Sequence, residues 1–373
     1  MSGIDTAMPD VRSKWSNHAA WNQNELYWEQ DFRQIAECGF DLLRWQMPWS
    51  LIEPRKGEYR WDLLDPKIEF ASRLGLEVFY PIVHFNIPSW LPEHGEIHAV
   101  FSGQLCERVA EYTHQILSRY KFKLVIPWVE VAMDAHQRGR VGNWQPHLKG
   151  RKNFEAVYEK LIPAYKASAQ VAHEHGATVV CSEPAPDIQT VLDLRDCTDI
   201  AGIDLYPHVH RQMSVLAYLR NWSRRSGLPL CLSEFGTPES YNPKTRKDSV
   251  GRFVRAGLDG QRVEQARLLH DALKQAHREG IEMPLGGWYP GTGNIGWGDA
   301  LTKERKKFDC DRAGLVDLAR QPDGSLKRVL CADLVKEVIG LREIYTPQPQ
   351  VVRTPASMPM LPLLPEALPA LSL

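Results

Sequence analysis

Short apolar runs rich in β-branched residues alternate along this sequence with longer segments of helical periodicity, and this alternation constrains the fold more than any other feature. Strand–helix alternation favours a parallel sheet whose strands are joined by right-handed crossovers. Several predicted helices end near a glycine, among them Gly75, Gly176, Gly227 and Gly280, and glycine is the usual residue just after a helix. The predicted strands are Phe40–Trp45, Leu76–Val83, Lys123–Val131, Ala177–Ser182, Ile200–Leu205, Leu228–Ser233 and Met283–Trp288, and the predicted helices include Pro66–Leu74, Leu105–Tyr120, Asn153–His175, Met213–Ser226, Val263–Glu279 and Ala332–Leu341.

Polar residues at the predicted strand ends help to decide between a (β/α)8 TIM barrel and a doubly wound sheet, the two common architectures of a chain with alternating strands and helices. They follow nearly every strand, and a (β/α)8 TIM barrel gathers the C-terminal ends of its strands into one site. No glycine-rich phosphate loop follows the first strands, which argues against a nucleotide-binding doubly wound sheet. We therefore predict an α/β fold, a (β/α)8 TIM barrel, over residues 1–345. Little chain precedes Gly3-Ile4-Asp5, so the first strand is expected to be short or truncated.

Two further segments are interpreted as lying outside the regular barrel elements. The Pro-rich stretch 346–373 lacks helical periodicity and is predicted to be a disordered tail. The polar stretch Pro238–Gln261 follows the seventh predicted strand position and is predicted to be a long loop on the active face.

Charge and cysteine content bear on the class of partner. The formal net charge of the 373 residues is -1, which gives no electrostatic reason to expect nucleic acid or an anionic membrane as a partner. The seven cysteines are dispersed with no C-x-x-C pair, as is typical of reduced thiols in a cytoplasmic protein. We recognise no signal peptide, no membrane-spanning run and no histidine spacing that fits a metal site. The sequence thus predicts a cytoplasmic protein without metal or cofactor, and it leaves the oligomeric state open.

Glutamates at three predicted strand ends are the strongest indication of chemistry. Glu130, Glu183 and Glu234 would converge at one barrel mouth. Glycoside hydrolysis needs one protonated carboxyl to assist departure of the leaving group and one ionised carboxylate to attack the anomeric carbon or activate water. Glutamate suits both roles because burial and neighbouring charge shift its pKa.

Four segments carry a specific combination of motifs: Arg44-Trp45-Gln46-Met47-Pro48-Trp49 with Ile52-Glu53-Pro54, Gly57, Trp61-Asp62 and Asp65 after it; His84-Phe85-Asn86-Ile87-Pro88-Ser89-Trp90-Leu91; Ser233-Glu234-Phe235-Gly236; and Trp288-Tyr289-Pro290. Together they resemble the family 1-like β-glycosidases, which belong to a clan of retaining (β/α)8 glycosidases. The resemblance runs from about Gly3 to Leu341. It implies a small-molecule glycoside as substrate and Glu234 as the catalytic nucleophile.

The acid/base strand matches that family least well. The family pattern Pro-x-Asn-Glu-Pro, followed by Gly-x-Trp-x-Pro-His, corresponds here to Pro127-Trp128-Val129-Glu130-Val131 and Gly142-Asn143-Trp144-Gln145-Pro146-His147. The resemblance places Glu130 in register as the acid/base. Valine stands where the family has the asparagine that binds the sugar 2-hydroxyl, which argues against ordinary glucosides as substrates.

The resemblance also implies roles for residues around the two glutamates, each with a plainer alternative. Arg44 would keep the nucleophile ionised, or pair with another acid. Tyr206 would lie near the nucleophile, and His84 would bind a substrate hydroxyl or be a satisfied strand-end histidine. Glu183 would line the pocket or cap a helix. Trp128 and Trp288 stand at predicted strand ends, where an aromatic ring stacks on a sugar or packs in the core.

Three functions follow from these observations. The first is a retaining O-glycosidase that uses Glu130 and Glu234 in a double displacement. The second is an enzyme of the same scaffold that acts on a decorated natural product, a 2-deoxy sugar or a non-sugar substrate. The third is a catalytically silent binding protein. Val129 favours the second and third, whereas the pair of glutamates with Arg44 and His84 favours the first and second.

Overall fold

The computed structural model describes residues 1–8, 10–11, 14–15, 18–93, 95–207, 210, 212–236, 259–295, 310–311 and 313–345. The predicted tail 346–373 lies outside these residues, and so do positions 238–258 of the predicted loop.

In this part of the chain, seven parallel strands form one curled sheet in which each strand pairs with its neighbours in sequence order. The predicted strand Ile200–Leu205 is confirmed residue for residue, and four others agree to within two residues at each end. The predicted strand Lys123–Val131 ends five residues earlier than predicted, at Ile126. The strands are β1 (Ser2–Gly3), β2 (Leu42–Arg44), β3 (Glu77–Pro81), β4 (Leu124–Ile126), β5 (Thr178–Pro184), β6 (Ile200–Leu205) and β7 (Leu230–Phe235).

Residues 285–288 close this sheet into a barrel. Leu285 forms a parallel bridge to β7, and Trp288 forms a parallel bridge to β1. The predicted strand Met283–Trp288 therefore occupies the eighth position, but it makes only these isolated bridges. Its backbone approaches β1 so closely that a Cβ on Gly287 would lie 1.6 Å from the carbonyl oxygen of Met1. Glycine permits this approach and at the same time weakens regular strand pairing. The predicted (β/α)8 barrel with a short first strand is confirmed.

Within the described residues a helix follows every strand position, and the predicted helix Leu105–Tyr120 is confirmed residue for residue. Among the described helices of seven or more residues, Asn24–Glu37 and Ile188–Leu194 were not predicted, and the second has only seven residues. None of the described helices has the length and hydropathy needed to cross a membrane. The helices are α1 (Asn24–Glu37), α2 (Asp65–Arg73), α3 (Leu105–Tyr120), α4 (Arg151–Glu174), α5 (Ile188–Leu194), α6 (Val215–Ser226), α7 (Asp259–Arg278) and α8 (Ala332–Gly340).

Helix α6 illustrates how the sequence sets these elements. The Ser214 hydroxyl accepts a hydrogen bond from the backbone N–H of Ala217 at 3.3 Å and caps the first turn. Gly227 ends the helix with a φ of 67°, a left-handed conformation that glycine adopts without strain. The buried stripe on Leu219 and Trp222 then packs the helix against the sheet.

The barrel lumen consists of an apolar layer and a polar layer above it. Successive inward-facing positions are two residues apart along a strand, so each strand contributes to both layers. Leu42, Val180 and Cys231 belong to one buried apolar cluster, and two residues further along their strands come Arg44, Ser182 and Ser233. The polar residues are 2% exposed or less, so each needs a hydrogen-bonding partner inside the barrel. This polar layer is the floor of the candidate site.

A hairpin between the eighth strand position and α8 was not predicted. Strands Val316–Arg320 and Leu326–Leu330 form an antiparallel hairpin. Its turn contains Gly324 with a φ of 85°. The hairpin is anchored by a buried ion pair in which Arg262 of α7 donates to Asp317 at 2.9 Å.

Candidate active site

A β-bulge in β7 turns Glu234 toward the inside of the barrel. Gly202 of β6 pairs with Cys231, and Asp204 pairs with Glu234, so one residue of β6 lies opposite two of β7. In a regular strand the inward position of Ser233 would leave Glu234 pointing outward. The extra residue re-aims the chain, as bulges beside functional sites do. The Ser233 hydroxyl donates to Asp204 at 2.6 Å, and Glu234 also faces the site.

Two donors hold the carboxylate of Glu234. The guanidinium of Arg44 donates to Oε1, and the hydroxyl of Tyr206 donates to Oε2. Arg44 is itself fixed, because its guanidinium lies 4.7 Å above the ring centre of Tyr289. Arg44 and Glu234 are 2% and 5% exposed, so this ion pair is nearly removed from water. Both oxygens of Glu234 are therefore oriented and stabilised as a carboxylate.

Glu130 reaches the site through a different local structure. It follows β4 with φ and ψ of 48° and 60°, a left-handed conformation that costs a non-glycine residue about 1–2 kcal/mol. The short helix Val131–Ala135 begins directly after it. Glu183 of β5 caps that helix: one of its oxygens accepts from the N–H of Val131 at 2.7 Å, and the other accepts from Ala132 at 3.2 Å. The position of Glu130 thus depends on a buried carboxylate of the neighbouring strand.

Asp204, at the centre of the site, was not among the predicted site residues. It is fully buried, and its carboxylate accepts hydrogen bonds from Ser182 at 2.7 Å and from Ser233 at 2.6 Å. One carboxylate oxygen from each of Glu130, Asp204 and Glu234 lies within 4.8 Å of the others. The site therefore contains three acids in close proximity.

The surroundings separate the acidities of the two predicted catalytic glutamates. Desolvation raises the pKa of Glu130 well above its ordinary value, and the negative charges of Asp204 and Glu234 raise it further. Desolvation and Asp204 also raise the pKa of Glu234. The charge of Arg44 and the hydrogen bonds from Tyr206 and Arg44 oppose this effect and leave that pKa at about 7.

A cluster of three carboxylates could also hold a hard cation, since such ions bind oxygen ligands. The donors present suggest another way to balance the charge. Arg44 supplies one positive charge at Glu234, and two serine hydroxyls bind Asp204. Two buried carboxylates and a half-buried one carry more negative charge than one guanidinium balances, and a proton on Glu130, whose pKa is raised, would reduce that excess.

The structure places the two predicted tryptophans away from the site opening. Trp128 is fully buried among core residues, and its indole N–H donates to Asp134 at 2.9 Å. Trp288 is also fully buried and donates to the carbonyl of Ala313 at 2.9 Å. Neither ring has a free face for a sugar, so we correct the sequence-based interpretation and assign both to the core. The aromatic residue of that segment that reaches the site is Tyr289, whose ring lies under Arg44.

The remaining predicted residue, His84, lies beside a buried apolar cluster. His84 follows β3 and is 5% exposed, with its ring 4.7 Å from that of Phe85. Phe85 in turn lies 4.7 Å from Trp144. Val129 is fully buried and belongs with these two rings to the apolar cluster of the lumen. The wall beside Glu130 is therefore apolar.

Two buried amides complete the description of the site region. Gln46 is 1% exposed, and neither its side-chain nitrogen nor its oxygen has a hydrogen-bonding partner. It lies two residues beyond Arg44, while Trp45 and Met47 pack in the outer core, so alternation turns Gln46 inward. Asn86 accepts from the N–H of Ser50 at 2.7 Å, and its amide nitrogen has no partner.

Comparisons with known proteins connect this geometry to glycosidases. The family model described as beta-galactosidase matches residues 17–140, a stretch that contains Arg44 and Glu130. The beta-galactosidase BgaH of Haloferax lucentense is 31% identical over 72 residues, which are 19% of this chain and 11% of that protein. The endo-1,4-beta-xylanase 1 of Gibberella zeae is 25% identical over 125 residues, or 33% of this chain and 34% of that enzyme. The chain thus matches about a third or less of the length of these relatives.

Solved structures extend the likeness of the fold to most of the chain. The family 1 β-glucosidase from Thermotoga maritima superposes with a TM-score of 0.67 and 14% sequence identity over 88% of each chain. The same organism's β-glucosidase in complex with azafagomine gives a TM-score of 0.68 with 15% identity over 87% of each chain. The fold is therefore a (β/α)8 TIM barrel like that of these β-glucosidases.

Proposed function

We propose that this chain is a retaining glycoside hydrolase with Glu234 as the nucleophile and Glu130 as the acid/base. The observation that carries the proposal is the proximity of the two carboxylates, whose oxygens lie within 4.8 Å while Arg44 binds only one of the pair. Retaining enzymes have their two carboxyl groups about 5–5.5 Å apart, whereas inverting enzymes leave about 6.5–9.5 Å for a water molecule. The short separation supports attack by the protein itself.

In the first step, an oxygen of Glu234 attacks the anomeric carbon and the bond to the leaving group breaks. The proton of Glu130 goes to the departing oxygen, which leaves as an alcohol. The electrostatics support this assignment, because Arg44 and Tyr206 favour the ionised form of Glu234 while its neighbours favour the protonated form of Glu130.

In the second step, Glu130 is ionised and takes a proton from water as the water oxygen attacks the anomeric carbon. The bond from the sugar to Glu234 breaks, and both glutamates return to their starting states. Tyr206 and Arg44 bind the two oxygens of Glu234, so they orient the nucleophile and stabilise it again as a leaving carboxylate.

Unpartnered polar groups in the site region support a ligand rich in hydroxyl groups. A buried amide without a partner costs about 1–3 kcal/mol, and a sugar hydroxyl could satisfy Gln46 or the amide nitrogen of Asn86. We include His84 as a further hydroxyl ligand. The names of the relatives suggest β-galactosides, β-glucosides and β-xylosides as the first glycosides to test.

The second candidate is an enzyme of this scaffold that acts on a non-standard sugar or a decorated natural product. It is favoured by Val129, which is fully buried against Phe85 and Trp144 and offers no hydrogen bond to a 2-hydroxyl. A substrate that lacks this hydroxyl, or carries an apolar group in its place, suits such a wall.

The test is a panel of aryl glycosides that includes galactosides, glucosides, xylosides and 2-deoxy sugars. We expect at least one to be hydrolysed, with NMR showing that the first product keeps the anomeric configuration of the substrate. Glu234→Gln should abolish this activity without unfolding the protein. An inverted first product would overturn the retaining mechanism. Binding of the panel without turnover would favour a catalytically silent binding protein.

A further inference from the structure

Asp204 occupies a position that the two-glutamate mechanism leaves without a role. It lies on β6 in register with Glu234 of β7, and it is fully buried. Its carboxylate oxygens accept from Ser182 and Ser233, which belong to the strands on either side. No ion pair is needed to explain its position, because the two hydroxyls hold the carboxylate in the floor of the barrel. An acid buried in this way between two catalytic acids has a direct electrostatic effect on both.

Asp204 is also the acid best placed to interact with Glu130. Glu234 is bound by a cation and a phenol, and Glu183 accepts two backbone N–H groups, whereas Asp204 accepts from two neutral serine hydroxyls. The charge of Asp204 also raises the pKa of Glu130 more than the charge of Glu234 does. An oxygen of Asp204 lies within 4.8 Å of an oxygen of Glu130. Desolvation raises the pKa of Asp204, and the charge of Arg44 together with hydrogen bonds from Ser233, Ser182 and the acid form of Glu130 opposes that rise. Two carboxyl groups in such contact favour a state in which they share one proton.

We propose that Asp204 is a positioning residue that accepts a hydrogen bond from the carboxylic acid of Glu130. This bond keeps the proton on Glu130 until the proton is transferred to the glycosidic oxygen of the substrate. The inference rests on the proposed function, since it assigns the proton to the acid/base of that reaction. No atom is transferred to Asp204. Its charge makes Glu130 a weaker acid in the free site and a stronger base after the leaving group has departed.

The other charged and titratable groups around Glu130 cannot replace Asp204 in this role. Glu183 of β5 faces the backbone of the short helix, and Arg44 of β2 favours ionisation of Glu130 and not protonation. Glu234 raises the pKa of Glu130 as well, but less than Asp204 does. Tyr206 and Tyr289 hold their protons more strongly than usual because of burial and neighbouring carboxylates. Removal of the Asp204 charge should therefore change the acidity of Glu130 more than any other single neutralisation.

The experiment compares the parent with Asp204→Asn and Ser233→Ala by carbon NMR titration of isotopically labelled glutamate carboxyls. Glu130→Gln identifies the signal of Glu130. Asparagine keeps the shape of Asp204 but removes its charge, so the titration midpoint of Glu130 should fall by about one pH unit or more. Ser233→Ala weakens the ionised form of Asp204, and the midpoint should fall in the same direction by less. The high-pH limb of kcat/KM should move by the same amounts.

A matched control separates this effect from loss of stability. Asp317→Asn neutralises a buried carboxylate of the Arg262 pair in the hairpin, and the Glu130 midpoint should not move. If Asp204→Asn does not fold, Ser233→Ala decides the question. An unchanged midpoint in a folded variant would overturn the role of Asp204. If Asp204→Asn lowers the titration midpoint of Glu130 but the parent protein hydrolyses no glycoside, the interaction between Asp204 and the proton of Glu130 is supported and the proposed function is refuted.

Discussion

The two sides of the active site hold their glutamates in opposite ways. On the side of β7 and β2, side-chain donors surround Glu234, and both of its oxygens are bound by Arg44 and Tyr206. On the side of β4 and β5, the backbone holds Glu130 in a left-handed conformation at the start of a short helix that Glu183 caps. Charge and hydrogen bonds on one side favour an ionised carboxylate, and burial beside other acids on the other favours a protonated one. The contrast would explain how two chemically identical side chains acquire the opposite roles proposed for them.

The largest loss of activity is expected when each of the two carboxylates, Glu234 and Glu130, is removed in turn. Glu234→Gln removes the proposed nucleophile, and we expect kcat to fall about 10⁴-fold or more for every substrate. Glu130→Gln removes only proton transfer, and the loss should be about 10²–10⁴-fold for glycosides with poor leaving groups. It should be much smaller for aryl glycosides whose leaving group needs no proton. Equal losses on both kinds of substrate would mean that Glu130 is not the acid.

The next test removes the cation on the Glu234 side. Arg44 lowers the pKa of Glu234, which stands at about 7, so Arg44→Gln should raise it. Because the proposed nucleophile must be ionised, the low-pH limb of kcat/KM should move to higher pH by about one to two units, and activity at pH 7 should fall about 5–50-fold.

The control for this change is Arg328→Gln in the buried Arg328–Asp31 pair, which lies outside the site. Breaking either buried pair should destabilise the protein by about 3–5 kcal/mol. Only the change at Arg44 should displace the low-pH limb. The same displacement in both variants would show that it reflects unfolding and not the titration of Glu234.

A smaller effect is expected on the other side of the site. Glu183→Ala leaves the N–H groups of Val131 and Ala132 without their acceptor, and this should cost about 1–3 kcal/mol of unfolding free energy. Because the same turn positions Glu130, we expect kcat to fall about 10-fold for glycosides with poor leaving groups, with little change in KM.

The helix cap of α6 provides the comparison for Glu183. Ser214→Ala removes the acceptor of the Ala217 N–H, far from the site, and should cost about 1 kcal/mol. Its kcat should stay at the parental value. If Glu183→Ala also leaves kcat unchanged, the cap serves stability alone and does not position Glu130.

The fold was predictable because its signals are local. Apolar strand runs, helical periodicity and glycine stops fix the alternation, and β6 and α3 were predicted with their observed bounds. The hairpin of Val316–Arg320 and Leu326–Leu330 had a signal too, since Pro322-Asp323-Gly324 between two alternating runs is a typical turn sequence. The eighth strand position could not be predicted in detail, because its pairing depends on contact with residues at the opposite end of the sequence.

Prediction of the site was less complete, for physical reasons that particular residues show. Glu130, Glu234, Arg44 and Tyr206 stand at strand ends, and the structure brings them together. Asp204 was missed because it lies inside an apolar strand, where the pattern gave no sign of two serine donors on the neighbouring strands. Trp288 was a candidate for the site with core packing as its alternative, and only the closed barrel determines that the ring of its neighbour Tyr289 lies under Arg44 instead.

The smallest effect is expected at Val129, in the apolar wall beside Glu130. Val129→Asn would place an amide where the family 1-like pattern has one, next to the 2-hydroxyl of a bound sugar. We expect the ratio of glucoside to 2-deoxyglucoside turnover to rise a few-fold, because a 2-hydroxyl buried against valine loses its water without a replacement, at a cost of about 1–3 kcal/mol. Val180→Asn, lower in the same apolar cluster, should cost similar stability and leave that ratio unchanged. If the parent already prefers glucosides to their 2-deoxy analogues, another group binds the 2-hydroxyl, and the unpartnered amides of Gln46 and Asn86 become the next residues to substitute.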